Sequence, residues 1–170
     1  MINRLEALRD RIDELIFEKQ PRNIRYFISH LYGVQRFCTL LAMKRGLDPE
    51  IAATCGMLHD IYQVTAGTTK EHAVKGAKVA EKILKATKQY SSEEIKVITT
   101  AISWHNKKKK IHGPYDELLK DADVMDHCFY NPVFPILEKE IIRYNNLLRE
   151  FGCNSSQNES QPEGMSVFEI

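Results

Sequence analysis

Six side chains have the types and the spread to hold metal: His30, His59, Asp60, His72, His105 and Asp123. The densest feature is the His59-Asp60 pair, set at the end of the apolar run Ile51 to Leu58. Neighbours on a helix point about 100° apart, so the two share a small target only if it lies between them, as a metal ion can. Mixed imidazole and carboxylate donors suit Mn, Fe, Co, Ni or Zn, and Mg where water completes the shell. A carboxylate can bridge two ions whereas an imidazole normally binds one, which makes Asp60 the candidate bridge. Two ions about 3.5–4 Å apart activate a water and neutralise charge on a phosphate during displacement.

Each residue has a plainer reading. A lone histidine beside an apolar stripe, as His30 is, usually serves the core or the helix surface. His59 and Asp60 can satisfy local backbone groups at a helix end. His72 and His105 can sit at a helix start and a helix end, meeting solvent or local carbonyls. Asp123 competes with Asp121 and Asp126. Asp121 lies about 200° round a helix from it, whereas Asp126 shares its face and can orient a ligand. His112 and His127 are expected to have no metal role, although His127 lies four residues after Asp123 and can support it. The lysine run Lys107 to Lys110 reads as a solvated loop or as a basic lip beside His105 that attracts phosphate. Lys107 and Lys108 are its nearest candidates for substrate contact, joined by Lys75 one turn after His72. Arg36, with Arg22 and Arg25, flanks His30 and offers planar phosphate recognition. Trp104 is expected in the core. No aromatic residues interleave with the lysines, so stable nucleic-acid binding is not expected.

The elements that carry these residues are helical nearly throughout. Leu5, Leu8, Ile12, Leu15 and Ile16 predict an amphipathic helix over about 3–18. Pro21 ends it, and Asn23 can cap a second helix to about Arg45, closed by Gly46. Asp48-Pro49-Glu50 opens a third, near 49–60, which delivers His59 and Asp60. Residues 62–69 read as turn around Gly67, followed by a helix from about Lys70 to Thr87. Ser91 with Glu94 forms a capping-box pattern for a helix to about His105. A basic loop over 106–114, a helix from Tyr115 to Phe129 and a last helix near 136–151 complete the all-α fold, a single-domain bundle of six or seven helices.

Bulk properties narrow the classes. The chain has 170 residues, 43% apolar and 28% charged, with a net charge of +1. That is a single soluble domain with a real core and no global field toward membrane or nucleic acid. No apolar run approaches the ~20 residues that span a bilayer. The opening MINRLEALRDRIDEL mixes acids with bases and does not read as a signal peptide. The four cysteines are scattered without a CxxC pair. Cys38 and Cys55 read as small core residues, and a reducing cytoplasm is the expected home. Residues 153–170 turn to Asn, Ser, Gln, Glu and Pro, a composition expected to stay disordered. The predicted division is therefore an accessory helix over 1–22, a functional domain over 23–152 and that tail.

Ser29-His30-Leu31, Gly56-Met57-Leu58-His59-Asp60-Ile61 and Leu119-Lys120-Asp121-Ala122-Asp123-Val124-Met125-Asp126 together resemble the HD-domain superfamily of metal-dependent phosphohydrolases, over roughly residues 24–130. The resemblance implies that His30, His59, Asp60 and Asp123 hold one divalent ion. His72 and His105 resemble the two further histidines of dinuclear members and imply a second ion. The chain departs from the common His-Asp-Ile-Gly-Lys pattern, reading Ile61-Tyr62-Gln63 after the doublet, and it has no Gly-Tyr-Pro, which disfavours the cyclic-dinucleotide branch. The implied activity is hydrolysis of a phosphoester or phosphoanhydride by a metal-bound hydroxide, on a small, nucleotide-like substrate. Asp60, as the bridging ligand, and Lys75, as a candidate phosphate contact one turn after His72, are the expected catalytic residues. The alternative is a catalytically weak domain that senses nucleotides or binds a partner. Oligomeric state is not legible.

Overall fold

The computed structural model describes residues 3–153, which form eight helices and no strand. The expected disordered tail lies outside the described residues. Helices α1 (Arg4–Lys19), α2 (Ile24–Arg45) and α3 (Pro49–Leu58) follow the predicted bounds closely. Asn3 caps α1 through Leu5 N, and Asp48 caps α3 by accepting from Glu50 N and Ile51 N. Asn23 stands at the start of α2 without a side-chain capping bond.

Every residue of α3 from Ile51 to Leu58 is buried, so this helix has no solvent face and forms the centre of the bundle. It packs against α2 on one side, with α1, α6 (Ser92–Trp104) and α7 (Pro114–Tyr130) around the rest. Leu8, Ile12 and Ile16 of α1 join Leu31, Val34, Cys38 and Leu41 of α2 in one core. Two glycines let the backbones approach. A Cβ on Gly56 would stand 2.8 Å from the Gln35 Cα, and one on Gly33 would stand 1.8 Å from the Asp126 Oδ1.

The region after the doublet differs from expectation. Residues 62–69 were predicted as a turn, but Ile61–Ala66 forms a short helix, α4, with Ile61 and Val64 buried and Gly67 closing it at φ 64°. Apolar residues three apart suffice to seat one turn and a half against the core. Helix α5 starts at His72 rather than Lys70, because Glu71 takes a left-handed φ of 57° just before it. The capping box of Ser91 and Glu94 opens α6 as predicted. The last helix, α8, spans only Ile141–Glu150; residues 131–140, carrying Pro132 and Pro135, run as turns. No helix among the described residues is long and apolar enough to cross a membrane.

Candidate metal centre

The break between α3 and α4 sets up the centre. Asp60 leaves helical geometry at φ −108° and ψ 16°, and its carboxylate makes no capping bond. His59 and Asp60 therefore escape the fixed angular offset of a continuous helix and converge on one space. His30 reaches it from α2, His72 from the first residue of α5, His105 from the end of α6 and Asp123 from mid-α7.

In all four histidines Nδ1 is already engaged. His59 Nδ1 donates to Gly56 O at 2.7 Å, His105 Nδ1 to Ile102 O at 2.7 Å and His72 Nδ1 to Thr69 O at 2.8 Å. A carbonyl only accepts, so the proton of each neutral ring sits on Nδ1 and the lone pair on Nε2. His59 and His105 are helix-end residues, each turning its ring back onto the carbonyl three positions earlier. His30 Nδ1 donates instead to Asp126 Oδ2 at 2.7 Å.

The Nε2 atoms then pair off. His30 and His59 face each other at 3.0 Å, and His72 and His105 at 3.2 Å. Ring nitrogens so close repel unless a proton or a cation lies between them. Cis ligands on an octahedral ion are about 3.0 Å apart when the metal–nitrogen distance is about 2.1 Å. Asp60 lies between the pairs: Oδ2 is 3.7 Å from His30 and 3.6 Å from His59, and Oδ1 is 3.4 Å from His105 and 3.6 Å from His72. Asp123 Oδ1 is 3.5 Å from His30 and 3.8 Å from His59. Asp60 Oδ1 and Asp123 Oδ1 are buried without a hydrogen-bond partner among the described residues. Orphaned carboxylate oxygens are costly, and a divalent cation satisfies both. The residues present fit a metal.

Charge is distributed accordingly. Burial pushes the His59 imidazole down to about 3, so it is neutral. Burial opposes charge on His30 too, but the Asp126 hydrogen bond and Asp60 outweigh it and push it up to about 10. Burial works against the charged form of Asp60, yet the surrounding histidines hold it well below the usual carboxylate range. Asp123 is likewise held low against its burial, chiefly by Lys108.

All six predicted ligands therefore meet, and the predicted substrate contacts do not join them. Lys108 is not part of an exposed lip: it is 7% exposed, its ammonium contacts Asp123 Oδ2, and it donates to Lys120 O at 3.2 Å. Lys107 is exposed. Lys75 pairs with Glu71 at 3.1 Å. Arg36 is exposed on α2, six residues past His30 and so turned well away from it. Trp104 is 38% exposed rather than core, and its ring stacks on His112 at 4.5 Å.

Sequence reasoning gave too little to the supporting residues. His127 Nε2 lies 3.4 Å from Asp123 Oδ1 while its Nδ1 meets Glu140 Oε1 at 3.2 Å. The spacing of four from Asp123 was the available signal. Tyr26, four residues before His30, stacks on that ring at 5.2 Å. Nothing in the sequence marks Glu140, although it is 1% exposed.

Known proteins bear on the centre in three ways. Ribonuclease Y of Clostridium kluyveri is 30% identical over 99 residues, covering 58% of this chain and 18% of that protein. Ribonuclease Y of Chlorobium luteolum is 28% identical over 98 residues, covering 58% and 17%. This chain thus spans under a fifth of the length of these relatives. No solved structure matches. Residues 27–129 match the HD domain, a stretch that runs from α2 to α7 and contains all six converging side chains. With that match over more than half its length, the chain belongs to the HD domain family of metal-dependent phosphohydrolases.

Proposed function

We propose that this protein hydrolyses a phosphoester or phosphoanhydride of a nucleotide-like substrate and that two divalent ions serve it. The observation that carries the reading is the arrangement of four Nε2 atoms in two close pairs, with one oxygen of Asp60 toward each pair. His30, His59, Asp123 and Asp60 Oδ2 would hold one ion; His72, His105 and Asp60 Oδ1 the other. Ions bound there supply Lewis acidity, an activated water and neutralisation of phosphate charge. The protein residues fix where this happens. Tautomers locked through Nδ1 keep the lone pairs pointed inward, so no reorganisation is needed during reaction. Asp126 orients His30, and Lys108 orients Asp123 rather than touching substrate. Lys75, three residues after His72, and Lys107, two after His105, are the lysines assigned to phosphate oxygens.

Release of phosphate and pyrophosphate from a pooled nucleotide panel, with Mn²⁺ or Co²⁺ added, tests this. Wild type is expected to turn over, and Asp60→Ala to lose at least about 10³-fold, as removal of a major electrostatic group does. Equal release by both variants would overturn the role of Asp60. Release by neither would leave a domain that binds nucleotides without cleaving them. The two Ribonuclease Y relatives favour a second substrate, the RNA phosphodiester, so a short oligoribonucleotide belongs in the same panel.

A further inference from the structure

The metal centre has two more open edges. The His127 side chain is 29% exposed and that of His72 19%, whereas those of His30, His59, Asp60, His105 and Asp123 lie between 0% and 9%. Lys75 follows His72 by three residues and Lys107 follows His105 by two. Against the His127 edge lies a cavity open to solvent. Its walls include the rings of Tyr26, Tyr130 and Phe134 and the side chain of Leu137. Asp126, His127 and Glu140 line it as well.

The cavity and the centre share their walls. Tyr26 stacks on His30, Asp126 bonds His30, and His127 reaches from Glu140 to Asp123. Glu140 thus stands one imidazole away from a ligand carboxylate. Two carboxylates at this end exclude a phosphate, so the anionic part of a substrate must lie toward the metals and the lysines. Aromatic walls favour a planar, uncharged group. Glu140 meets one side chain among the described residues, His127, and each of its oxygens keeps a further lone pair for an N–H donor.

We propose that this cavity is a nucleobase pocket. It seats the base between the aromatic walls with its N–H edge toward Glu140, and leaves the sugar to reach the phosphate at the metal centre. Guanine fits best, because it alone places two adjacent N–H donors opposite a carboxylate. The assignment rests on the phosphohydrolase reading for the position of the phosphate and not for the pocket itself. The base can belong to a free nucleotide or to an RNA chain.

The experiment uses the full chain without added metal. Guanosine, adenosine, cytidine, uridine and ribose 5-phosphate are titrated and followed by saturation-transfer NMR. Guanosine is expected to saturate most tightly and ribose 5-phosphate to give no saturable signal at the cavity. Leu137→Trp, which fills the cavity from a half-exposed position, and Phe134→Ala, which removes a wall, are each expected to weaken guanosine about 10-fold or more. Glu140→Gln should narrow the preference for guanosine over adenosine. Circular dichroism confirms that each variant folds, and the cavity-filling and cavity-enlarging changes cannot both act through one packing defect. Competition by guanosine monophosphate would assign the base to a free nucleotide; competition by an oligoribonucleotide alone would assign it to RNA. Both support the pocket. Absence of nucleoside binding, or equal binding by wild type and both cavity variants, overturns it even if phosphate is released. Nucleoside binding without phosphate release keeps the pocket and sinks the hydrolase reading.

Discussion

His30 shows how one residue can carry two states. In the metal-free protein its ring keeps a second proton, because Asp126 and Asp60 outweigh the cost of burial and raise it to about 10. That proton occupies the 3.0 Å gap to His59 Nε2, where a cation would otherwise mediate. Metal must displace it, so apparent affinity is expected to rise about tenfold per pH unit across the neutral range for the one proton released. Mn²⁺ titrations at pH 6.5, 7.5 and 8.5 check this, and a flat profile would contradict it. Lys108 presents the converse case, a fixed charge. Lys108→Met strands the buried Asp123 carboxylate, and the metal-free fold is expected to lose about 3–5 kcal/mol. Added Mn²⁺ should restore more of the melting temperature in this variant than in wild type, because the ion takes over the lost positive charge. The six ligand candidates were legible in the sequence because their types and order are distinctive. The special place of Lys108 was not: four identical lysines in a row carry no signal about which one turns inward.

At the scale of elements, the histidines sit where helices stop. His59 ends α3, His105 ends α6 and His72 begins α5, and at each place a backbone carbonyl three residues back takes the Nδ1 proton. The helix periods and the Asp48 and Ser91 caps were readable because they follow local rules of spacing and capping. The break at Asp60 and the short α4 were not, because a continuous apolar pattern from Ile51 to Val64 says nothing about a change of direction. The bounds of α8 failed for a similar reason: Ile136 and Leu137 are apolar enough to extend a helix, yet residues 131–140 turn instead, and Phe134, Pro135, Ile136, Leu137 and Glu140 line the cavity. Close approach of helices is equally silent in one sequence. Gly33 allows α2 to meet Asp126 of α7, and a Cβ there would strike the carboxylate. Gly33→Ala is therefore expected to push Asp126 off His30 and weaken metal binding about 10–100-fold, as loss of an orienting partner does. Titration calorimetry measures it; unchanged affinity would show that Asp126 is dispensable.

Across the whole molecule, one ionic network joins the last helix to the centre. Arg143 of α8 donates to Lys108 O at 2.8 Å, to Asp121 at 2.8 Å and to Glu117 at 2.7 Å, and Arg45 of α2 pairs with Asp121 at 2.9 Å. The loop that carries Lys108 is thus held from outside the matched family region, which ends at residue 129. Burial opposes charge on Glu117, but Lys120, Arg143 and the His112 amide lower its pKa. A lowered carboxylate stabilises the fold above its unfolded value, about 4.3, and loses that contribution as pH falls through the lower folded value. Glu117→Gln is expected to cost about 1–3 kcal/mol at neutral pH and to flatten the acid limb below about pH 4.3. Urea midpoints between pH 3 and 7 read both effects. A sequence shows these charges but not their partners, which lie 22–35 positions apart for Arg143. The carbonyl locks on His59, His72 and His105 have a different bearing, on descent. A peptide carbonyl survives every amino-acid replacement, so drift around these three rings leaves their acceptors in place. His30 alone among the four is held by a side chain, and Asp126 is therefore the position at which selection can retune the centre without discarding a ligand.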